Sequence, residues 1–132
     1  YNLYGTEKIW DSSLANIGIL WVARHDRDRL KAYFDAVYPL FWRRELDIEN
    51  VEVVCQCLTN AGIVTEGFQV FCETEGRVLH DQLQSQLHPS GIYGVPTYVF
   101  EDEVLFGREH LPYIEWRLSG CVGAAPDISN AL

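Results

Sequence analysis

The stretch from Gly91 to Leu118 constrains the chain most. Gly91-Ile92-Tyr93-Gly94 forms a turn that runs into Val95-Pro96, and the apolar run Thr97-Tyr98-Val99-Phe100 follows. A tight acidic turn at Glu101-Asp102-Glu103 separates it from a second short strand, Val104-Leu105-Phe106, which ends at Gly107. An amphipathic pattern then continues to Leu118, so the stretch reads as strand, strand, helix. Pro96 stands at the mouth of the first strand, where its missing N–H costs no ladder bond. Two strands this short do not make a stable sheet alone, so the fold has to bring further strands or cover the hairpin.

The chain before Gly91 offers helices instead of strands. Residues 1–11 are aromatic and polar without period and read as a connecting arm. Ser12 or Ser13 can cap a first helix from Leu14 to about His25. Its apolar positions, Leu14, Ile17, Leu20 and Trp21, are widened by Ile19 and Val22, which predicts a central helix. Asp26 can cap a second helix with Leu30, Tyr33, Phe34, Val37, Tyr38 and Phe41 on one face. Pro39 lies inside that pattern and is expected to kink or end the helix near Tyr38, with residues 40–44 continuing after the bend. Asp47-Ile48-Glu49-Asn50 starts a third helix, with Val51, Val54, Cys55 and Leu58 inward and Gly62 past its end. Thr65 caps a short fourth helix, and Gly76 weakens it or separates it from a fifth. The fifth carries Leu79, Leu83 and Leu87 and stops at Pro89-Ser90-Gly91. Gly120 follows the last helix, and residues 121–132 read as a loose tail.

Composition closes several function classes. The 132 residues suffice for one domain with a single core. Nineteen acids against ten bases give a net charge of -9, the wrong sign for a nucleic-acid backbone or an anionic membrane surface. The longest apolar run, Ile17 to Ala23, is far short of the roughly 20 residues of a membrane span, and no signal segment opens the chain. Cys55, Cys57, Cys72 and Cys121 form no Cys-x-x-Cys and no metal-ligand spacing with a histidine, so no metal site is expected. They read as idle thiols in a reducing cytosol, and a cytoplasmic location is the expectation. The sequence contains no Met and opens with Tyr1-Asn2-Leu3-Tyr4, which hints at residues upstream.

Gly94-Val95-Pro96-Thr97, followed by Phe106-Gly107 and Leu111 four residues on, resembles the DsbA-like branch of the thioredoxin fold. The likeness is to its 2-hydroxychromene-2-carboxylate isomerases and kappa-class glutathione transferases. It is most specific over about residues 91–118 and looser back to about Ser12. It implies an α/β, thioredoxin-like fold in four parts. These are an arm at 1–11, a helical insertion at 12–90, a C-terminal ββα unit at 91–120 and a flexible tail at 121–132. The N-terminal βαβ unit is expected to be missing. Either it lies upstream, or the chain compensates, for example by forming a homodimer through its sheet edge.

The resemblance also implies a site. In that family the proline matching Pro96 is cis, and the residue matching Val95 offers its backbone to a peptide or to the cysteinyl part of glutathione, as one more strand would. By the residues alone, Pro96 reads as an ordinary trans proline opening a strand, and only the resemblance makes it cis. Glutathione-binding relatives often read Phe-Gly-Ser/Gln/Asn-Asp-Arg where this chain has Phe106-Gly107-Arg108-Glu109-His110. The acid there accepts the γ-glutamyl ammonium. Here it would be Glu109, one methylene longer, and Arg108 could pair the γ-glutamyl carboxylate or block the pocket. An acid at a helix start is also ordinary electrostatics. The reactive residue is not found: the family uses a serine, or Cys-x-x-Cys, on a strand–turn–helix that no segment here matches. Asp11-Ser12-Ser13 could face the cleft or simply cap a helix. Trp21, Trp42 and Tyr38 could roof an apolar substrate or be core, and His25, His80 and His88 read as solvated surface.

Three functions follow as expectations. The first is part of a glutathione-linked isomerase or transferase acting on a small aromatic substrate. The second is part of a thiol–disulfide oxidoreductase with a thiol partner. The third is a non-catalytic binding module on the same scaffold.

Overall fold

The computed structural model describes residues 8–127. Residues 1–7 of the expected arm and 128–132 of the expected tail lie outside that range. The chain divides into two compact units, residues 1–83 and 84–132. No helix among the described residues is long and apolar enough to cross a membrane.

The first unit is built on α1 (Ser13–His25), α2 (Leu30–Trp42), α3 (Val51–Asn60) and α4 (Phe68–Glu73). Because α1 is apolar on most of its circumference, it can be buried on several sides at once. Ile17 and Val22 are fully buried, and Trp21 donates its indole N–H to the Val64 carbonyl at 2.7 Å. Gly18 lets α2 come close: a Cβ there would collide with the Tyr33 hydroxyl. That hydroxyl, on a residue 1% exposed, donates to the Ala15 carbonyl at 2.9 Å. Burial pushes the Tyr33 phenol well above its ordinary pKa. Leu58 from α3 and Phe68 from α4 complete the core, both fully buried.

Several local expectations need correcting. Ser12 occupies the cap position of α1 without a side-chain bond, and the Asp11 carboxylate accepts the Ser13 N–H instead at 2.9 Å. Pro39 neither ends α2 nor splits it: the helix runs through to Trp42. Pro39 and Asp35, whose carbonyl loses its partner, are both exposed, so water can satisfy the orphaned group. The helix ends at Trp42, and Arg44 in the turn beyond it has φ +63° with its N–H donating to the Phe41 carbonyl. In α3 it is Cys57 that is buried, while Cys55 is half-buried. Asn50 caps that helix by accepting from Glu52 N–H at 2.9 Å. Thr65 does not cap α4 through its side chain. It supplies its carbonyl to Phe68 N–H, and Gly67, at φ +86°, holds the cap position. The break before α5 (Glu75–Leu87) falls at Thr74, and Gly76 lies inside α5, where a Cβ would meet the Phe71 ring at 2.6 Å. Its role is close packing.

In the second unit, β1 (Thr97–Phe100) pairs antiparallel with β2 (Glu103–Phe106), Thr97 opposite Phe106 and Phe100 opposite Glu103. Glu103 is therefore a strand residue, and the turn is Glu101-Asp102, with Glu101 at φ +55°. Strand alternation puts Tyr98, Phe100, Glu103 and Leu105 on one face and Thr97, Val99, Val104 and Phe106 on the other. The first face meets α6 (Leu111–Leu118) through Arg117. This side chain binds Glu103 and Glu101 and lies 4.7 Å from the Phe100 ring centroid. The second face is more open: Val99 is 61% exposed. Arg108–His110 form a 3-10 turn ahead of α6, so they precede the last α-helix and do not begin it.

Candidate functional site

The site elements sit where β1 begins. After Leu87 the chain folds back on α5: Gly91 N–H donates to the His88 carbonyl and Ile92 N–H to the Leu87 carbonyl at 2.8 Å. That return lays residues 92–95 beside the last turn of α5. Gly94 is needed there, because a Cβ would meet the Phe106 ring at 2.5 Å. Its carbonyl accepts the Thr97 hydroxyl at 2.5 Å.

The Val95–Pro96 peptide bond is cis, and Val95 is 90% exposed. Among the described residues no backbone hydrogen bond engages Val95, since the ladder begins at Thr97. The Pro96 carbonyl accepts Gly107 N–H at 2.9 Å, which ties the start of β1 to the residue after β2. Gly107 has φ +100° and is buried, and the Glu109 carboxylate lies against it so closely that a Cβ at 107 would collide with it. Glu109 Oε1 is also 3.9 Å from His110 Nδ1, a buried atom with no hydrogen-bond partner among the described residues. Arg108 is exposed. Pro96 and Glu109 thus converge on the Gly107 corner, Pro96 through a hydrogen bond and Glu109 by contact, and Val95 precedes Pro96 across the cis bond. Arg108 flanks them in sequence.

A cavity of about 270 Å³ opens beside Val95 and is lined also by Gln84, Leu87, His88, Ile92 and Tyr93. Arg108 and Glu109 do not line it. Sequence reasoning missed this cavity and took His88 as plain surface. The available signal was the helix stop at Pro89-Ser90-Gly91, which returns the chain onto the helix it has just left.

The other candidates separate from this corner. Asp11 is a cap acceptor, and the Ser13 N–H holds its carboxyl below the ordinary aspartate range. Ser12 lines a smaller cavity of about 90 Å³ in the first unit with Tyr33, Phe34, Tyr38 and Phe41. Trp21 is core, whereas Tyr38 and Trp42 are more than half exposed. All four cysteines are free thiols. Burial raises the pKa of Cys55 and Cys57 and pushes Cys72 up to about 11, so these three are poor thiolates at neutral pH. Among the described residues no group of three His, Cys, Asp or Glu side chains is placed to hold a metal ion.

No curated protein and no solved structure matches the chain. The DSBA-like thioredoxin domain model matches residues 1–119. With nearly the whole length covered and a ββα unit in the second half, the chain belongs to the DSBA-like thioredoxin domain family.

Proposed function

We propose that the corner at Val95, Pro96, Gly107 and Glu109 is the binding wall of a glutathione-linked isomerase or transferase. The observation that carries the reading is the open backbone of Val95, directly ahead of a strand. An extended thiol peptide can add there as another strand, its cysteinyl residue pairing with Val95. Glu109 then takes the γ-glutamyl ammonium, and Arg108 is within the same turn for the neighbouring carboxylate. The chemistry is addition and release. The thiolate adds to a conjugated carbon of an unsaturated aromatic substrate, the former double bond rotates, and expulsion of the thiolate restores it. The reading requires a serine or cysteine to hold the thiolate, and among the described residues no strand–turn–helix presents one.

Titration of the isotopically labelled chain with reduced glutathione tests this. Amide shifts are expected at Gly94, Val95 and Gly107 at concentrations up to about 10 mM. Glu109→Ala should weaken binding about tenfold to a hundredfold, the usual range for one charge-assisted contact. Affinity unchanged by Glu109→Ala would remove the role given to that residue.

The family match supports a second reading, in which the same wall presents a protein thiol for disulfide exchange. It predicts that a cysteine-containing peptide outcompetes glutathione for the amides around Val95.

A further inference from the structure

The turn that carries Glu109 also carries a buried polar atom that nothing satisfies. His110 Nδ1 is closed to solvent and has no hydrogen-bond partner among the described residues. A buried ring nitrogen left in this way costs free energy whether it bears a proton or a lone pair. Glu109 Oε1 is 3.9 Å away. That is about 1 Å beyond the length of an N–H···O hydrogen bond, so the two groups are close but not joined.

A small movement decides whether they join. The Glu109 side chain is 39% exposed and the His110 side chain 23%. The carboxylate lies against Gly107, and Oε1 takes part both in that contact and in the approach to the ring. Moving Oε1 toward Nδ1 therefore shifts it over Gly107, whose N–H is bonded to the Pro96 carbonyl. Protonation supplies the missing bond. A neutral imidazole has one N–H and an imidazolium two, so Nδ1 then carries a proton beside a carboxylate. Such a charge-assisted bond is shorter and stronger than a neutral one. The ionisable groups of the neighbouring elements are engaged or face water. Arg117 of α6 binds Glu101 and Glu103, and Tyr113 binds Glu103. Arg108, Asp102 and Glu115 are exposed, and β1 carries only the phenol of Tyr98.

We propose that His110 is a positioning residue for Glu109. Neutral, it leaves the carboxylate open to a ligand's ammonium; protonated, it draws the carboxylate onto its own Nδ1 and weakens that contact. The inference rests on the glutathione reading above and adds a proton-dependent setting of the γ-glutamyl end of the site. A histidine ordinarily gains its proton as pH falls through about 6.5, so affinity falls with pH over that range. The carboxylates and thiol of glutathione ordinarily titrate outside it. Its ammonium only gains protons as pH falls, which by itself would strengthen binding.

Two measurements on the full chain test this. In the labelled ligand-free chain, the Gly107 amide is expected to shift between about pH 7 and about pH 5.5, with the midpoint of the His110 ring. Glu109→Gln is expected to abolish that shift. A shift that survives in Glu109→Gln, or none in the wild type, overturns the coupling through the carboxylate. By calorimetry, glutathione is expected to bind the wild type about threefold more weakly at the lower pH, and His110→Asn equally at both. The thermal midpoint of each variant records that it is folded. If glutathione binds the wild type with no loss at the lower pH, the role of His110 is overturned and the glutathione reading stands. A loss that persists in folded His110→Asn also overturns that role. If glutathione does not bind at the higher pH, both fall.

Discussion

At the level of single residues, two contacts decide how α1 and α2 meet. Gly18 leaves room for the Tyr33 hydroxyl, and that hydroxyl reaches the Ala15 carbonyl. Gly18→Ala gains helix propensity but drives a methyl group into the phenol. Overpacking should win, and urea unfolding should show a loss of about 1–3 kcal/mol. The cysteines give a second check. Burial holds the Cys57 and Cys72 thiols protonated, whereas Cys121 is exposed. A thiol reagent at neutral pH should modify Cys121 first and reach Cys57 and Cys72 only when denaturant is added, as peptide mapping would show. The idle thiols were legible in the sequence, but the Gly18 contact was not. The pattern of α1 announces burial, but not that Gly18 faces Tyr33, fifteen residues further along the chain.

At the level of elements, the helices were legible because their apolar residues recur at helical spacing, and the hairpin because two apolar runs flank an acidic pair. The boundaries were less so. Pro39 left either a kink or an end open in the sequence, and its position on the exposed side of α2 lets the helix continue. Gly76 looked like a break and is instead a contact with Phe71. The cavity beside Val95 was invisible because it forms only when residues 92–95 return to α5. By contrast, Val95, Pro96 and Glu109 were singled out through the family resemblance, and the structure brings Pro96 and Glu109 to the Gly107 corner. The link between hairpin and α6 is electrostatic: Arg117 joins Glu101, Glu103 and the Phe100 ring. Arg117→Ala should speed amide exchange across α6 and the Glu101-Asp102 turn, and added salt should shrink the difference between variant and wild type.

At the level of the whole molecule, burial is unevenly divided. Every buried apolar side chain among the described residues lies between Ala15 and Cys72, in the first unit. The second unit, residues 84–132, contributes one buried described residue, Gly107. Stability should divide in the same way. Hydrogen exchange is expected to be slowest in α1 and α3 and fastest in β1, β2 and α6, since few buried contacts resist local opening there. Ligand binding at the Val95 corner should slow exchange in the hairpin more than in α1, because a ligand stabilises the state it binds.

Gly107 ties its own turn to the placement of a side chain two residues on. Its backbone requires a glycine-type φ, its N–H is committed to Pro96, and the space a side chain would need is already taken by the Glu109 carboxylate. A larger residue at 107 would evict that carboxylate, and a shorter one at 109 would uncover the glycine. In this chain the two positions share one space, so a change at Gly107 is felt first at the Glu109 carboxylate.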